Sequence, residues 1–148
     1  MKKMITASNY EVIPLDLRTN VRFYTSVDFG SYVPPHWHDA IEVLYLQEGE
    51  LKVNTESTSR NLHSGQCTLI QPNKVHSTLC TRPNKAIVFQ IPLLFLEKFV
   101  SDAAQLTFQL EGTPRQASQP EWDRQKTQIN QFKEKLEQMQ FIMDTKPD

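Results

Sequence analysis

Long hydrophobic runs are missing from this 148-residue chain, and none approaches the roughly 20 apolar residues of a membrane span. Met1-Lys2-Lys3-Met4-Ile5 begins as a signal peptide would, but no apolar segment follows. The chain passes straight into Asn9-Tyr10-Glu11, which predicts a cytoplasmic protein rather than a secreted one. Charge of one sign is missing as well. There are 16 basic and 17 acidic side chains, a formal net charge of −1, and no basic stripe, so direct nucleic-acid binding by these residues is not expected. Only two cysteines occur, Cys67 and Cys80, without the CxxC spacing of a metal or redox motif. They sit in apolar strand-like runs and read as buried, reduced thiols. No repeat or low-complexity segment is present, and the length allows one domain around one core.

What is present, over the first two-thirds, is a series of short β-like runs. Strands are predicted near Tyr10–Leu15, Val21–Val27, His38–Gln47, Glu50–Thr55, Arg60–Leu62, Gln66–Gln71, His76–Cys80 and Ala86–Ile91. Glu48-Gly49-Glu50, Ser64-Gly65, Gln71-Pro72-Asn73-Lys74 and Arg82-Pro83-Asn84-Lys85 punctuate them. Short strands at this spacing predict a mainly β fold, a sandwich or closed jelly roll. After Pro92 the pattern changes. Leu93–Val100 reads as a short helix, Gln109–Gln119 as a polar linker, and a second helix runs from Pro120 to about Met143. The expected organisation is a β-barrel with an N-terminal arm and short helix over residues 1–110, a linker over 111–119, and an amphipathic helix over 120–148.

Only four glycines occur in the chain, and three of them frame its chemistry. The first stretch reads Gly30-x5-His36-x-His38-x3-Glu42-x6-Gly49. On a strand, His36, His38 and Glu42 share parity and point to one face. Cα atoms of His36 and His38 would lie about 6.6 Å apart, but Glu42 would lie about 13 Å beyond His38. The chain must therefore bend or bulge at Asp39–Ile41 if all three are to meet. Trp37, Ile41, Val43 and Tyr45 on the opposite parity are also apolar, so both faces of this strand need cover. The second stretch runs from Gly65 through Gln71-Pro72-Asn73-Lys74 to His76. Three histidines and one carboxylate are an N/O ligand set suited to zinc, manganese, iron or nickel. His63 lies in a polar turn and reads as a solvated side chain.

These two blocks resemble the two motifs of the cupin superfamily. The first fits the pattern Gly-x5-His-x-His-x3-Glu-x6-Gly at every fixed position. The second departs from Gly-x5-Pro-x-Gly-x2-His-x3-Asn: Gln71 stands for the proline, Asn73 for the second glycine and Cys80 for the final asparagine. Asparagine tolerates the left-handed backbone that the glycine would supply, so the turn can survive. The resemblance implies a double-stranded β-helix, a jelly-roll barrel with C-terminal α-helices, holding His36, His38, Glu42 and His76 inside it as a candidate site for a divalent metal.

Pro34-Pro35-His36-Trp37-His38-Asp39, followed by Glu42, Gly49, Gly65, Pro72 and His76, resembles one branch in particular over residues 15–100. That branch is the N-terminal effector-binding domain of AraC/XylS-type transcription regulators. The resemblance implies a barrel that binds a small-molecule effector, an N-terminal arm over its mouth, and helices that pair two subunits. DNA would be bound through a helix-turn-helix region, which these 148 residues do not include and which would lie beyond Asp148. The effector pocket is expected at His36, His38, Glu42, Gln71 and His76, with Trp37, Tyr24 and Tyr45 as candidate stacking aromatics. In the second helix Ile129, Phe132, Leu136, Met139 and Met143 recur in steps of three and four, a heptad-like seam. They are the expected homodimer interface. Few further acid/base groups are in view, so no catalytic residue is assigned and a sensor is expected rather than an enzyme. The alternative is a stand-alone metal-dependent cupin enzyme of dioxygenase or isomerase type.

Overall fold

The structure is a computed structural model that describes residues 4–5, 9–110 and 118–146. The short strands β1 (Met4–Ile5) and β2 (Glu11–Val12) pair antiparallel. Next come β3 (Arg22–Asp28), β4 (Tyr32–His36), β5 (Ala40–Glu48), β6 (Glu50–Thr55) and β7 (Ser59–His63). Three more strands, β8 (Cys67–Ile70), β9 (His76–Leu79) and β10 (Asn84–Pro92), complete the β region. Two four-stranded antiparallel sheets result, in the orders β3-β10-β5-β8 and β4-β9-β6-β7. Leu44, Leu46, Ile70, Ala86 and Val88 from the first sheet meet Leu51, Val53 and Leu62 from the second in one buried cluster. The core therefore lies between the sheets, as a jelly roll requires. Every side chain from Ala40 to Leu46 is buried, in keeping with the apolar character of both faces of β5.

Three differences from the sequence expectations have local causes. Strand β4 was not foreseen, because Pro34-Pro35 argues against a strand. It lies at the edge of its sheet, where proline is tolerated, and its ladder with β9 is interrupted between Val33 and His36 because neither proline can donate. Strand β2 stops at Val12 rather than Leu15. Pro14 lacks a donor, and the chain then turns, with Asn20 N–H donating to the Asp16 carbonyl at 2.8 Å and Asn20 at φ +62°. Strand β5 begins at Ala40, two residues later than expected.

After β10 comes α1 (Leu93–Leu96), opened by Pro92. Its turn continues in looser bonds, with Val100 N–H donating to Leu96 O at 2.9 Å, so the helical character expected to Val100 is partly realised. By its contacts the chain divides into two units, Met1–Thr107 and Phe108–Asp148. The second contains α2 (Gln119–Thr145). Ser118 caps it: Glu121 N–H donates to Ser118 Oγ, and Ser118 N–H to the Glu121 carboxylate, each at 3.3 Å. This reciprocal box satisfies two orphan donors and explains where the helix begins. Residues 111–117 of the expected linker, and Pro147 and Asp148 at its end, lie outside the described residues, as do 1–3 and 6–8 of the expected arm. On α2 the five seam positions fall on one face. Phe141 and Ile142 lie off that seam and are exposed. No helix among the described residues is long and apolar enough to cross a membrane.

Candidate metal centre

His36, His38 and His76 converge. One ring nitrogen from each lies within 4.8 Å of the others, and all three residues are buried. Ring centroids of His36 and His76 are 4.2 Å apart, and those of His38 and His76 5.0 Å. Shared parity on a single strand is not what aligns them, contrary to the expectation. His36 is the last residue of β4 and pairs directly with His76, the first of β9. His38 lies in the link between the sheets, and Glu42 on β5 belongs to the other sheet. The required bend thus falls at residues 37–39 and is a change of sheet. Backbone bonds hold it there: Asn73 N–H donates to His38 O at 2.8 Å, and Leu93 N–H to Asp39 O at 2.9 Å. Asn73 has φ +62°, so it supplies the left-handed turn that the resemblance would give to glycine.

The backbone also selects the tautomers. Nδ1 of His36 faces the Pro34 carbonyl at 2.8 Å, Nδ1 of His38 faces Ala40 O at 3.1 Å, and Nδ1 of His76 faces Lys74 O at 2.9 Å. A carbonyl only accepts, so each Nδ1 carries the proton and donates it. In the neutral ring Nε2 is then a lone pair, and all three face inward. This is the second-shell arrangement of metal-binding imidazoles.

Glu42, 1% exposed, presents one carboxylate oxygen to each of two rings: Oε1 to His38 Nε2 at 3.5 Å, Oε2 to His76 Nε2 at 3.6 Å. These separations are long for hydrogen bonds. They are close to the roughly 3.0–3.5 Å between neighbouring ligand atoms around one ion with bonds of about 2.1 Å. The donor set and its orientation therefore fit a divalent metal. Protons distribute unevenly over the cluster. Burial depresses His76 to about 4, with the neighbouring His36 and His38 adding to the effect and Glu42 opposing it. Burial would also depress His38. The adjacent Glu42 carboxylate, with the charge of Glu11, outweighs it and leaves His38 above its ordinary value.

Several members of this site were not foreseen. Gln90 donates Nε2–H to Glu42 Oε1 at 2.5 Å and accepts from Arg22 Nη1 at 3.5 Å. Both residues are buried. A polar Gln90 on the same parity as the apolar Ala86 and Val88 was the available signal. Glu11 on β2 is fully buried, with Oε2 3.7 Å from His36 Nε2. No motif marks it. Tyr24, a proposed stacking aromatic, is pushed up to about 12 by burial and by the charge of Glu42, and the Arg22 guanidinium lies 4.2 Å from its ring centre. Trp37 packs on Tyr10 at 4.7 Å, and Tyr45 is buried. Gln71 does not join the cluster, for it lines a separate depression with Val53, Thr55 and Lys74. His63 is largely exposed, near Glu50 at 3.7 Å. Cys67 and Cys80 are buried and form no disulfide.

Beside Glu42 a cavity of about 560 Å³ opens between the two sheets, lined by Tyr24, Asp28, Ser31, Leu44, Thr78, Asn84 and Val88 among others. It lies in the size range of small-ligand pockets.

The family model for the cupin domain matches residues 23–92. That segment is similar to a cupin domain. The match runs from the second residue of β3 to the end of β10, includes His36, His38, Glu42 and His76, and leaves Glu11 outside. Among solved structures, a cupin domain of Cnp3 from Schizosaccharomyces pombe is 9% identical over 57% of this chain and 65% of its own, with a TM-score of 0.50. An RmlC-like cupin from Shewanella frigidimarina is 26% identical over 55% of this chain and 72% of its own, with a TM-score of 0.46. KdgF from Halomonas sp. is 16% identical over 62% and 86%, with a TM-score of 0.47. No curated protein matches the sequence.

Proposed function

We propose that this cupin domain senses a small-molecule effector and, with α2, forms the sensing and dimerisation part of an AraC-type transcription regulator. The observation that carries the reading is the cavity of about 560 Å³ between the sheets, with Glu42 in its lining. A chamber lined by Asp28, Glu42, Thr78 and Asn84 beside Leu44, Leu51 and Val88 offers a small polar molecule both polar partners and apolar walls. The Pro-Pro-His-Trp-His-Asp run and the seam on α2 support the same reading. Ligand binding in the barrel biases the arrangement of paired subunits, a coupling between two sites. The reading frame beyond Asp148 tests the class: helix-turn-helix coding sequence is expected, and a stop codon there would overturn it. The pocket is tested by thermal shift with sugars and small carboxylic acids, compared between wild type and Leu44→Trp, which fills the cavity. A ligand that stabilises both proteins equally would place binding elsewhere.

A second reading, a metal-dependent enzyme, is favoured by the three inward Nε2 lone pairs. His36, His38, His76 and Glu42 would hold the ion. A bound divalent metal would supply Lewis-acid polarisation of a substrate oxygen. In either reading the protein's own contribution is the same: Glu42 fixes the rings, Gln90 fixes Glu42, and the buried walls exclude water.

A further inference from the structure

Glu11 lies outside both histidine motifs and outside the matched cupin segment, yet the fold delivers it to the centre with unusual specificity. Asn9, at φ +64°, turns the chain toward the link between the sheets. There Glu11 N–H donates to Trp37 O at 2.8 Å, and Trp37 N–H donates to Asn9 O at 3.0 Å. Trp37 is the residue between two of the imidazole ligands, so this pair of bonds sets the strand's register against the site itself. Alternation then fixes which side chain enters. Tyr10 turns outward onto the Trp37 ring, with its hydroxyl donating to Asp39 Oδ1 at 3.3 Å. Val12 is 45% exposed, whereas Glu11 between them is fully buried. A slip of one residue would replace the carboxylate with an aromatic or aliphatic group.

Glu11 approaches the third imidazole much as Glu42 approaches the other two. His38 and His76 each face a Glu42 oxygen at 3.5 and 3.6 Å, and His36 faces a Glu11 oxygen at 3.7 Å. Each imidazole Nε2 thus has a carboxylate oxygen at the same separation, two of them supplied by the cupin motif and one by the N-terminal strand. We propose that Glu11 is an additional carboxylate ligand of the metal centre, making a donor set of three imidazoles and two carboxylates. Two carboxylates neutralise a divalent charge in a buried site and suit manganese or ferrous iron better than a site of imidazoles alone. The inference rests on the metal reading of the histidine cluster.

The test uses the 148-residue chain, stripped with a chelator and titrated with Co²⁺ by calorimetry and by visible absorption. Wild type is compared with Glu11→Gln and His76→Ala, with circular dichroism as the check on folding. The expected result is tight binding by wild type and loss of binding in His76→Ala. Glu11→Gln should bind roughly 10- to 100-fold more weakly and give an altered cobalt spectrum, because an oxygen ligand has gone. Unchanged affinity and spectrum in Glu11→Gln, with loss in His76→Ala, would overturn the role of Glu11 and leave the metal reading standing. Wild type that takes up no Co²⁺ would overturn both. Should Glu11→Gln not fold, anomalous diffraction from Co²⁺-loaded wild type decides. A Glu11 oxygen about 2.0–2.2 Å from the ion is expected, and an ion held without it overturns the proposal.

Discussion

Gly49 closes the first motif, and its environment permits a quantitative prediction for Gly49→Ala. The residue has φ +85°, and a Cβ placed there would meet the Pro83 carbonyl oxygen at 2.1 Å and Asn84 Cα at 2.9 Å. Those are backbone atoms, so no side-chain rotation relieves the overlap. They are also held in place, since Asn84 Nδ2–H donates to the Glu50 carbonyl at 3.1 Å. A left-handed non-glycine residue costs about 1–2 kcal/mol, and forcing the two turns apart adds about 1–3 kcal/mol. Against this, alanine restricts the unfolded chain, which returns about 0.4–1 kcal/mol. The net loss is then about 1–5 kcal/mol, centred near 3. Gly65 supplies the control. Its φ is +89°, but a Cβ there meets nothing within 4 Å, so Gly65→Ala bears only the conformational cost, about 1 kcal/mol net. Urea unfolding of the three proteins, followed by tryptophan fluorescence and far-ultraviolet circular dichroism, measures the difference. Equal destabilisation by the two substitutions would refute the reasoning, because the clash with Pro83 would then have no energetic weight.

Three further outcomes are expected. In chelator, the metal-free protein should lose stability as the pH falls from 6.5 toward 4. The unfolded chain binds a proton at residue 76 that the folded chain, with His76 depressed to about 4, does not, a loss of about 2 kcal/mol between pH 7 and 5. His38 is raised, so its contribution runs the other way and fades as the pH rises past 6.5. Urea melts at pH 5 and 7 check this, and a wild-type acid limb no steeper than that of His76→Gln would contradict it. His38→Ala and His76→Ala should each abolish stoichiometric zinc, manganese, iron or nickel after dialysis. Metal analysis reads this directly, and binding in wild type should weaken as the pH drops through about 6.5, since protonated imidazole cannot ligate. Phe132→Glu with Leu136→Lys should give monomers with the barrel still folded, read by sedimentation beside circular dichroism. A wild-type monomer at tens of micromolar would show that the seam does not pair subunits.

Much of the fold could be read from period and punctuation. Apolar runs of four to nine residues, bounded by Gly49, Gly65 and Pro72-Asn73, gave away seven of the eight strands in the two sheets and both helices. The eighth, β4, was hidden because Pro34-Pro35 carries an anti-strand signal that holds only for interior strands. The convergence of His36, His38 and His76 was legible from spacing, but the geometry that unites them was not. Period-two reasoning put His36, His38 and Glu42 on one continuous strand, whereas the chain changes sheet at 37–39, pinned there by distant partners such as Asn73 and Leu93. Those contacts span 34 or more positions along the chain and have no local signature. Gln71, whose place in the second motif suggested the pocket, lines a different depression from the one beside Glu42.

The residues that sequence reasoning missed are those whose role is to constrain another side chain. A carboxylate only accepts, so Gln90 must turn its amide nitrogen toward Glu42. That leaves the amide oxygen for Arg22, whose guanidinium can only donate. The order Arg22–Gln90–Glu42 is thus fixed by hydrogen-bond chemistry, and with it the rotation of the Glu42 carboxylate. Because Glu42 presents one oxygen to His38 and the other to His76, that rotation sets which lone pairs can converge on one ion. The three backbone carbonyls that fix the Nδ1 protons act on the opposite side of the rings. All three imidazoles are therefore oriented from behind by the main chain, and His38 and His76 face Glu42 in front. Gln90→Leu would remove the front constraint alone, leaving a buried carboxylate without its donor. Such a change acts on metal affinity through geometry, although Gln90 touches none of the histidines in the described contacts.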